Sequence, residues 1–236
     1  MNRPSLKLST KAAITLVVLL FAKIASADVT IDNFSCSDSV TLDGPAGPSA
    51  FENSFIACPG SLGGEREDFI ENQTPGASGG SASSVSTITT DTAANSITGT
   101  FGSGITGTEG MVWGVSGDLN LDLVGDSILV QVQSDSAGIL TLLLGPPTNN
   151  LGFTATFSGS PGYQDVLIPL TNPTVNGTGS NLADITAILL SVELDTPGAT
   201  WSIDEAKIVP EPSTLLLTGI CLLGVVTKSL RRRSPR

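Results

Sequence analysis

Apolar residues in the middle of this chain recur at every second position, and no stretch there carries them at helical spacing. Ile128, Val130 and Val132 fall on one side of an extended segment, with Gln131 and Gln133 on the other, because successive strand side chains point to opposite faces. Leu140, Leu142 and Leu144 resume the pattern beyond Asp135-Ser136-Ala137-Gly138, which predicts a hairpin over 127–144. Phe153-Thr154-Ala155-Thr156-Phe157 alternates as cleanly. Further strands are predicted at 29–34, 65–71, 84–91, 96–101, 111–115, 163–170, 185–194 and 200–209, with Gly, Ser, Thr, Asn and Asp crowding the connections. About ten strands at this spacing predict an all-β antiparallel β-sandwich.

The two ends carry a different pattern. Arg3, Lys7 and Lys11 precede the apolar run 12–22, and Ala25-Ser26-Ala27 follows. A positive stretch, a short greasy core and a small-residue site predict a signal peptide over 1–27, cleaved after Ala27, and hence the Sec export machinery as a partner. At the other end, Val209-Pro210-Glu211-Pro212-Ser213-Thr214 leads into an apolar run at 215–226, then Lys228, Arg231, Arg232, Arg233 and Arg236. The prolines favour an extended, accessible segment. The stretch 215–230 would make roughly 24 Å of helix against a hydrocarbon core of ~30 Å, so a transmembrane helix here needs a thinned bilayer or snorkelling cations. Its arginines predict a cytoplasmic end.

This order of Pro-Glu-Pro, apolar helix and basic cluster resembles the PEP-CTERM sorting signal of Gram-negative bacteria. The resemblance implies that an exosortase in the inner membrane reads Pro210, Glu211 and Pro212 and removes the tail. The protein would then reach the cell surface or the extracellular matrix. An ordinary C-terminal anchor is the competing reading. The expected organisation is a signal peptide (1–27), a sandwich domain (28–208) and a sorting signal (209–236).

Charge is distributed unevenly. Nine of the eleven Lys and Arg lie in the two end segments, and twenty-one of the twenty-two acids lie between them; two cations against twenty-one acids leave that stretch at −19. Such a surface repels nucleic acid and anionic lipid. Cys36 and Cys58 are the only cysteines there, and in an oxidising compartment they are expected to form a disulfide; two buried thiols are the alternative.

The second half resembles the galactose-binding-like jelly roll of many carbohydrate-binding modules. The phrases concerned are Tyr163-Gln164-Asp165-Val166-Leu167-Ile168-Pro169-Leu170, then Asp184-Ile185-Thr186-Ala187-Ile188, then Trp201-Ser202-Ile203-Asp204-Glu205-Ala206-Lys207-Ile208. The resemblance spans about residues 110–208. It implies a jelly-roll-like sandwich whose last strand pairs with its first, a non-catalytic affinity for polysaccharide, and a structural Ca²⁺ between those two strands. Asp32, Asp204 and Glu205 are placed to hold such an ion; solvated acids lining strand ends are the other reading.

The chain contains no histidine, which excludes a Ser-His triad and a His-based zinc site within it. Paired carboxylates could still serve glycoside hydrolysis. Sugar platforms are usually aromatic. Trp201 opens a core strand and is expected to be buried. Trp113, between glycines at 110 and 114, is the candidate ligand-binding ring, with core packing as its alternative. Arg66, the one arginine of this stretch, is expected to pair with its acidic neighbours. These readings leave an exosortase-sorted surface protein that binds exopolysaccharide, against a structural or adhesive protein without a small ligand, and behind both a carboxylate enzyme.

Overall fold

The computed structural model describes residues 28–43, 50–75, 85–115, 119–177 and 181–210. Fourteen strands run through them: β1 (Val29–Asp32), β2 (Ser39–Asp43), β3 (Ala50–Ala57), β4 (Glu65–Pro75), β5 (Val85–Asp91), β6 (Ser96–Thr100) and β7 (Ile105–Trp113), then β8 (Asp126–Ser134), β9 (Gly138–Leu144), β10 (Leu151–Phe157), β11 (Ser160–Pro169), β12 (Thr174–Val175), β13 (Ile188–Leu194) and β14 (Thr200–Pro210). A single 3-10 turn, Leu62–Gly64, precedes β4. The signal-peptide, Glu211-Pro212 and tail-helix expectations lie outside the described residues. Among the described residues no helix is long and apolar enough to cross a membrane.

The strands assemble into two seven-stranded antiparallel sheets. Sheet I has the order β11-β8-β14-β6-β5-β2, with β1 also paired to β14; sheet II has the order β12-β10-β9-β13-β7-β4-β3. Strand β14 meets β6 through Thr200–Ile203 and β1 through Ala206–Ile208, so the last strand does pair with the first. This is a jelly-roll-like sandwich, and its strands from Val29 to Val209 form one compact unit. The second unit holds the two ends, of which only Asp28 and Pro210 are described. The inward faces of both sheets supply one continuous core, including Ile128, Val130, Val132, Leu140, Leu142, Leu144 and both tryptophans.

The predicted 127–144 hairpin is corrected. Both strands exist with the expected inward residues, but β8 belongs to sheet I and β9 to sheet II. The residues between them form an arch across the sandwich. Asp135 exchanges bonds with Thr200 of sheet I, donating N–H to its carbonyl at 3.2 Å and accepting its N–H at 2.9 Å. Ala137 accepts the N–H of Asp195 at the end of β13 in sheet II at 3.0 Å. Alternation with a turn between reports two consecutive half-buried strands, and it does so whether they pair with each other or face each other.

Cys36 and Cys58 form the expected disulfide, with sulfurs 2.10 Å apart and a Cα–Cα distance of 5.7 Å. It ties the loop after β1 in sheet I to the corner after β3 in sheet II, and so links the two layers covalently. A 22-residue separation corresponds to about 3 kcal/mol in the chain-entropy account of cross-links. Replacing both cysteines by serine should therefore lower the urea unfolding free energy by roughly that amount. An oxidised wild type and the double variant with equal midpoints would contradict this.

Candidate functional site

Two groups of polar and aromatic side chains stand out, one sealed in the core and one open to solvent. The sealed group surrounds Arg66, which is fully buried on β4. Its Nε donates to Asp68 Oδ1 at 2.8 Å and its Nη2 to Asp68 Oδ2 at 3.0 Å, a two-pronged grip along one strand. Nη2 also donates to Thr90 Oγ1 on β5 at 2.7 Å, and Nη1 to Asp32 Oδ2 at 3.2 Å. Trp113 Nε1 on β7 donates to the same Asp32 oxygen at 2.9 Å. Strands of both sheets thus meet on one guanidinium, whose planar fork suits several acceptors at once.

Phe34 completes the cluster. Its ring centroid lies 5.5 Å from the Arg66 guanidinium carbon, and its N–H donates to Asp32 Oδ1 at 2.6 Å. It holds this place in the left-handed region, at φ 50°, a conformation that costs a bulky side chain about 1–3 kcal/mol. Burial opposes the Arg66 charge, but Asp68 and Asp32 outweigh it and raise its pKa above the usual arginine value. Burial acts on Asp68 too, pushing it up to about 7 against the pull of Arg66, with the Asp38 carboxylate alongside adding to the rise.

The cluster revises the residues singled out from sequence. Asp32 was expected at a calcium site with Asp204 and Glu205. A register shift between Thr30 and Asp32 turns Asp32 inward, so Ile31 and Asp32 are both buried and the carboxylate is committed to Arg66, Trp113 and Phe34. Asp204 and Glu205 stay half-buried on β14, where Glu205 pairs with Lys207 at 3.0 Å. Partial burial, followed by the nearby Glu205 and Asp165 charges, raises the pKa of Asp204. The three residues are not brought together, and among the described residues no group of three or more His, Cys, Asp or Glu could hold a metal. Trp113 is likewise corrected as a ligand platform: it is fully buried with its indole N–H taken, so it has no face to offer. Trp201 is buried as expected.

Trp201 makes the mirror-image bond. From sheet I its Nε1 donates at 2.6 Å to Oε2 of Glu109, a fully buried carboxyl on β7 of sheet II. Gly99 makes room for the contact, since a Cβ there would lie 2.1 Å from Glu109 Oε2 and 2.3 Å from the indole. Among the described residues Glu109 Oε1 has no hydrogen-bond partner. Burial pushes this carboxyl up to about 8, with the Trp201 bond acting in the other direction.

The open group lies on the outer face of sheet II, along its edge. On β4, Arg66, Asp68 and Ile70 point inward, which leaves Glu65, Glu67, Phe69 and Glu71 on the outer face. The register pairs Phe51 with Glu71, Asn53 with Phe69 and Phe55 with Glu67, so β3 and β4 form a patch of two open rings, a third ring, Phe69, that is itself buried, an amide and two carboxylates. Phe51 and Phe55 are 52% and 53% exposed, which makes them accessible platforms where both tryptophans are not. The Phe51 and Phe69 rings are stacked, with centroids 6.2 Å apart and planes 24° apart. Phe69 lies down across Gly110, where a Cβ would come within 2.8 Å of its ring. Asn53 Nδ2 donates to Glu67 Oε1. The sequence reading missed β3 altogether; the recoverable signal was Phe-x-Asn-x-Phe, an alternation over 51–55 with rings and amide on one side.

Elsewhere, an open groove of about 500 Å³ lies between β10 and β11, lined by Thr156, Phe157, Gln164, Asp165 and Leu167 among others. Its one lining ring, Phe157, is only 6% exposed. The groove therefore lacks an aromatic platform.

Residues 209–233 match the PEP-CTERM protein-sorting motif, so the chain carries the sorting signal of an exosortase-processed surface protein. No curated protein matched the chain. Solved structures similar to it include the family 11 carbohydrate-binding module of the cellulosomal cellulase Lic26A-Cel5E of Clostridium thermocellum, at 11% identity over 79% of this chain and 96% of that one, TM-score 0.42. The family 30 module of Cel9D-Cel44B from the same organism shows 13% identity over 79% and 99%, TM-score 0.39. A family 29 module, CBM29-2, shows 11% identity over 73% and 90%, TM-score 0.35.

The sealed carboxyls set a pH dependence. Asp68 and Glu109 hold protons more tightly folded, at about 7 and about 8, than their ordinary values of 3.8 and 4.5. The folded state therefore binds more protons between those limits. Its stabilisation is complete below the ordinary carboxylate range and is lost as pH rises to about 8, by up to about 1.4 kcal/mol per pH unit for each group. Urea midpoints should fall steadily through this window; midpoints that rise with pH would refute the assignment. Arg66→Met leaves two carboxylates without their cation and should cost about 3–5 kcal/mol near neutrality. The deficit should shrink in acid, where those carboxyls take up protons.

Proposed function

We propose that this sandwich is a non-catalytic polysaccharide-binding module of an exported surface protein, and that the glycan lies along the Phe51–Phe69–Phe55 patch of sheet II. The observation that carries the reading is the pair of half-exposed rings on an edge strand, each opposite a carboxylate, with an amide between them. Phenylalanine faces pack against the C–H faces of pyranose rings, and carboxylates and amides accept or donate to sugar hydroxyls. Phe51 and Phe55 are four residues apart on one strand, roughly 13 Å, a span that several units of a chain-like ligand would cover. An open sheet face suits a polymer that enters from the side, where a closed pocket would accept only chain ends.

Several features of the chain favour binding over turnover. It has no histidine to act as a general base. Its strongly perturbed carboxyls, Asp68 and Glu109, are sealed between the sheets and away from any substrate. The sorting signal at 209–233 directs such a module to the surface, where polysaccharide is encountered.

Affinity electrophoresis through gels containing soluble polysaccharides tests the proposal. At least one glycan should retard the purified protein, and Phe51→Ala and Phe55→Ala should each weaken retention by roughly ten-fold with an unchanged melting midpoint, as expected for exposed rings. Trp113→Ala should behave oppositely, lowering stability by about 3–5 kcal/mol through the cavity it opens. Retention that survives loss of both phenylalanines would remove this face from consideration.

A further inference from the structure

The charge of the patch narrows what can lie on it. Glu67 and Glu71 stand directly opposite Phe55 and Phe51 in the β3–β4 register. Across β7, Thr108 is paired with both Glu71 and Glu193, so Glu193 continues the same outward row. Of the two cations between the ends, Arg66 is sealed inside and Lys207 lies on sheet I beside Glu205. The face thus carries four carboxylates, Glu65, Glu67, Glu71 and Glu193, and no Lys or Arg side chain.

From this we infer that the glycan recognised is an ammonium-bearing one, a hexosamine polymer with free amino groups. The inference rests on the polysaccharide-binding reading above and adds the sign of the ligand's charge. An anionic polysaccharide would bring like charge against Glu67, Glu71 and Glu193 and be repelled. A neutral one would offer these carboxylates hydroxyl donors but no counter-charge, a weaker partner than an ammonium. An amino sugar avoids both penalties. Its ammonium can bond to the carboxylate while its C–H face, or the ammonium itself, rests on the adjoining ring; a cation over an aromatic face and a charge-assisted hydrogen bond act together. The unit of recognition, one ring opposite one carboxylate, occurs twice along the strand, at Phe51–Glu71 and at Phe55–Glu67. Two such units roughly 13 Å apart fit a polymer that presents its amino groups repeatedly.

Titration calorimetry of the purified protein with three hexamers tests this: glucosamine, N-acetylglucosamine and glucose, at mildly acid pH and at low and high salt. The glucosamine hexamer should bind at least about ten-fold tighter than either neutral one, and salt should weaken it most. Glu67→Gln and Glu71→Gln should each remove most of that preference, whereas Phe55→Ala should weaken all binding; melting curves of these surface variants should match the wild type. Equal affinity for all three hexamers would overturn the charge inference and leave the polysaccharide-binding reading standing. Failure to bind these hexamers or any polysaccharide in the gels would overturn both. Equally tight binding of polylysine, with the same dependence on Phe55 and Glu67, would assign the face to basic peptides and overturn the inference as well.

Discussion

Arg66 sits where it can be stable only if both sheets are in place. Its own strand supplies Asp68, β7 of the same sheet supplies Trp113 through Asp32, and the opposite sheet supplies Asp32 and Thr90. A buried guanidinium is strongly disfavoured without counter-charge and filled donors. A pair of sheets shifted by one residue would present Ile31 or Thr89 where Asp32 and Thr90 now stand, because strand side chains alternate between faces. The cluster therefore acts as a register lock between layers that otherwise meet through interchangeable Leu, Ile and Val. The disulfide joins the same two regions of chain. Cys36 follows Asp32 by four residues and Cys58 precedes Arg66 by eight, so the covalent link raises the effective concentration of the ion pair it stands beside.

That the aromatics left in solvent on sheet II are phenylalanines, Phe51 and Phe55, and not the tryptophans has a physical reason. Each indole carries one N–H, and each is buried where a carboxyl of the opposite sheet accepts it, Asp32 for Trp113 and Glu109 for Trp201. A phenyl ring has no such requirement and can stand in solvent at an edge without leaving a donor unsatisfied. The largest aromatics thus hold the layers together, and the smaller ones at 51 and 55 remain available to a partner. The proton held by Glu109 follows from the same placement, since a fully buried carboxyl with one unpartnered oxygen favours its neutral form.

The legible part of the fold was the part governed by period-two alternation. Strands β1, β5, β6, β10, β11 and β14 lie close to their expected positions, and the inward residues of β8 and β9 are those predicted. Strands β2, β3 and β12 went unread: β12 has two residues, the Val40–Leu42 alternation of β2 spans three, and the Phe-x-Asn-x-Phe alternation of β3 runs along a sheet edge with its rings on the solvent side. The same pattern misled at Asp135–Gly138, where a turn between two half-buried strands was read as a hairpin although the strands lie in different sheets. Strand exposure is a local property, whereas the identity of a neighbour depends on residues some sixty positions away, as the Asp135–Thr200 bonds illustrate.

Composition and order alone settled that the chain bears a sorting signal around Pro210, that its middle is anionic and β-rich, and that Cys36 and Cys58 had only each other as partners there. These follow from residue type and adjacency, which need no fold. Whether Asp32 would face calcium or an arginine, and whether Trp113 would meet a ligand or the core, was decided when strands distant in sequence came together. A bulge of one residue turned Asp32 inward, and the opposite layer then closed over Trp113. What a polar or aromatic side chain can do depends on the dielectric and the partners around it, and both are properties of the assembled sandwich.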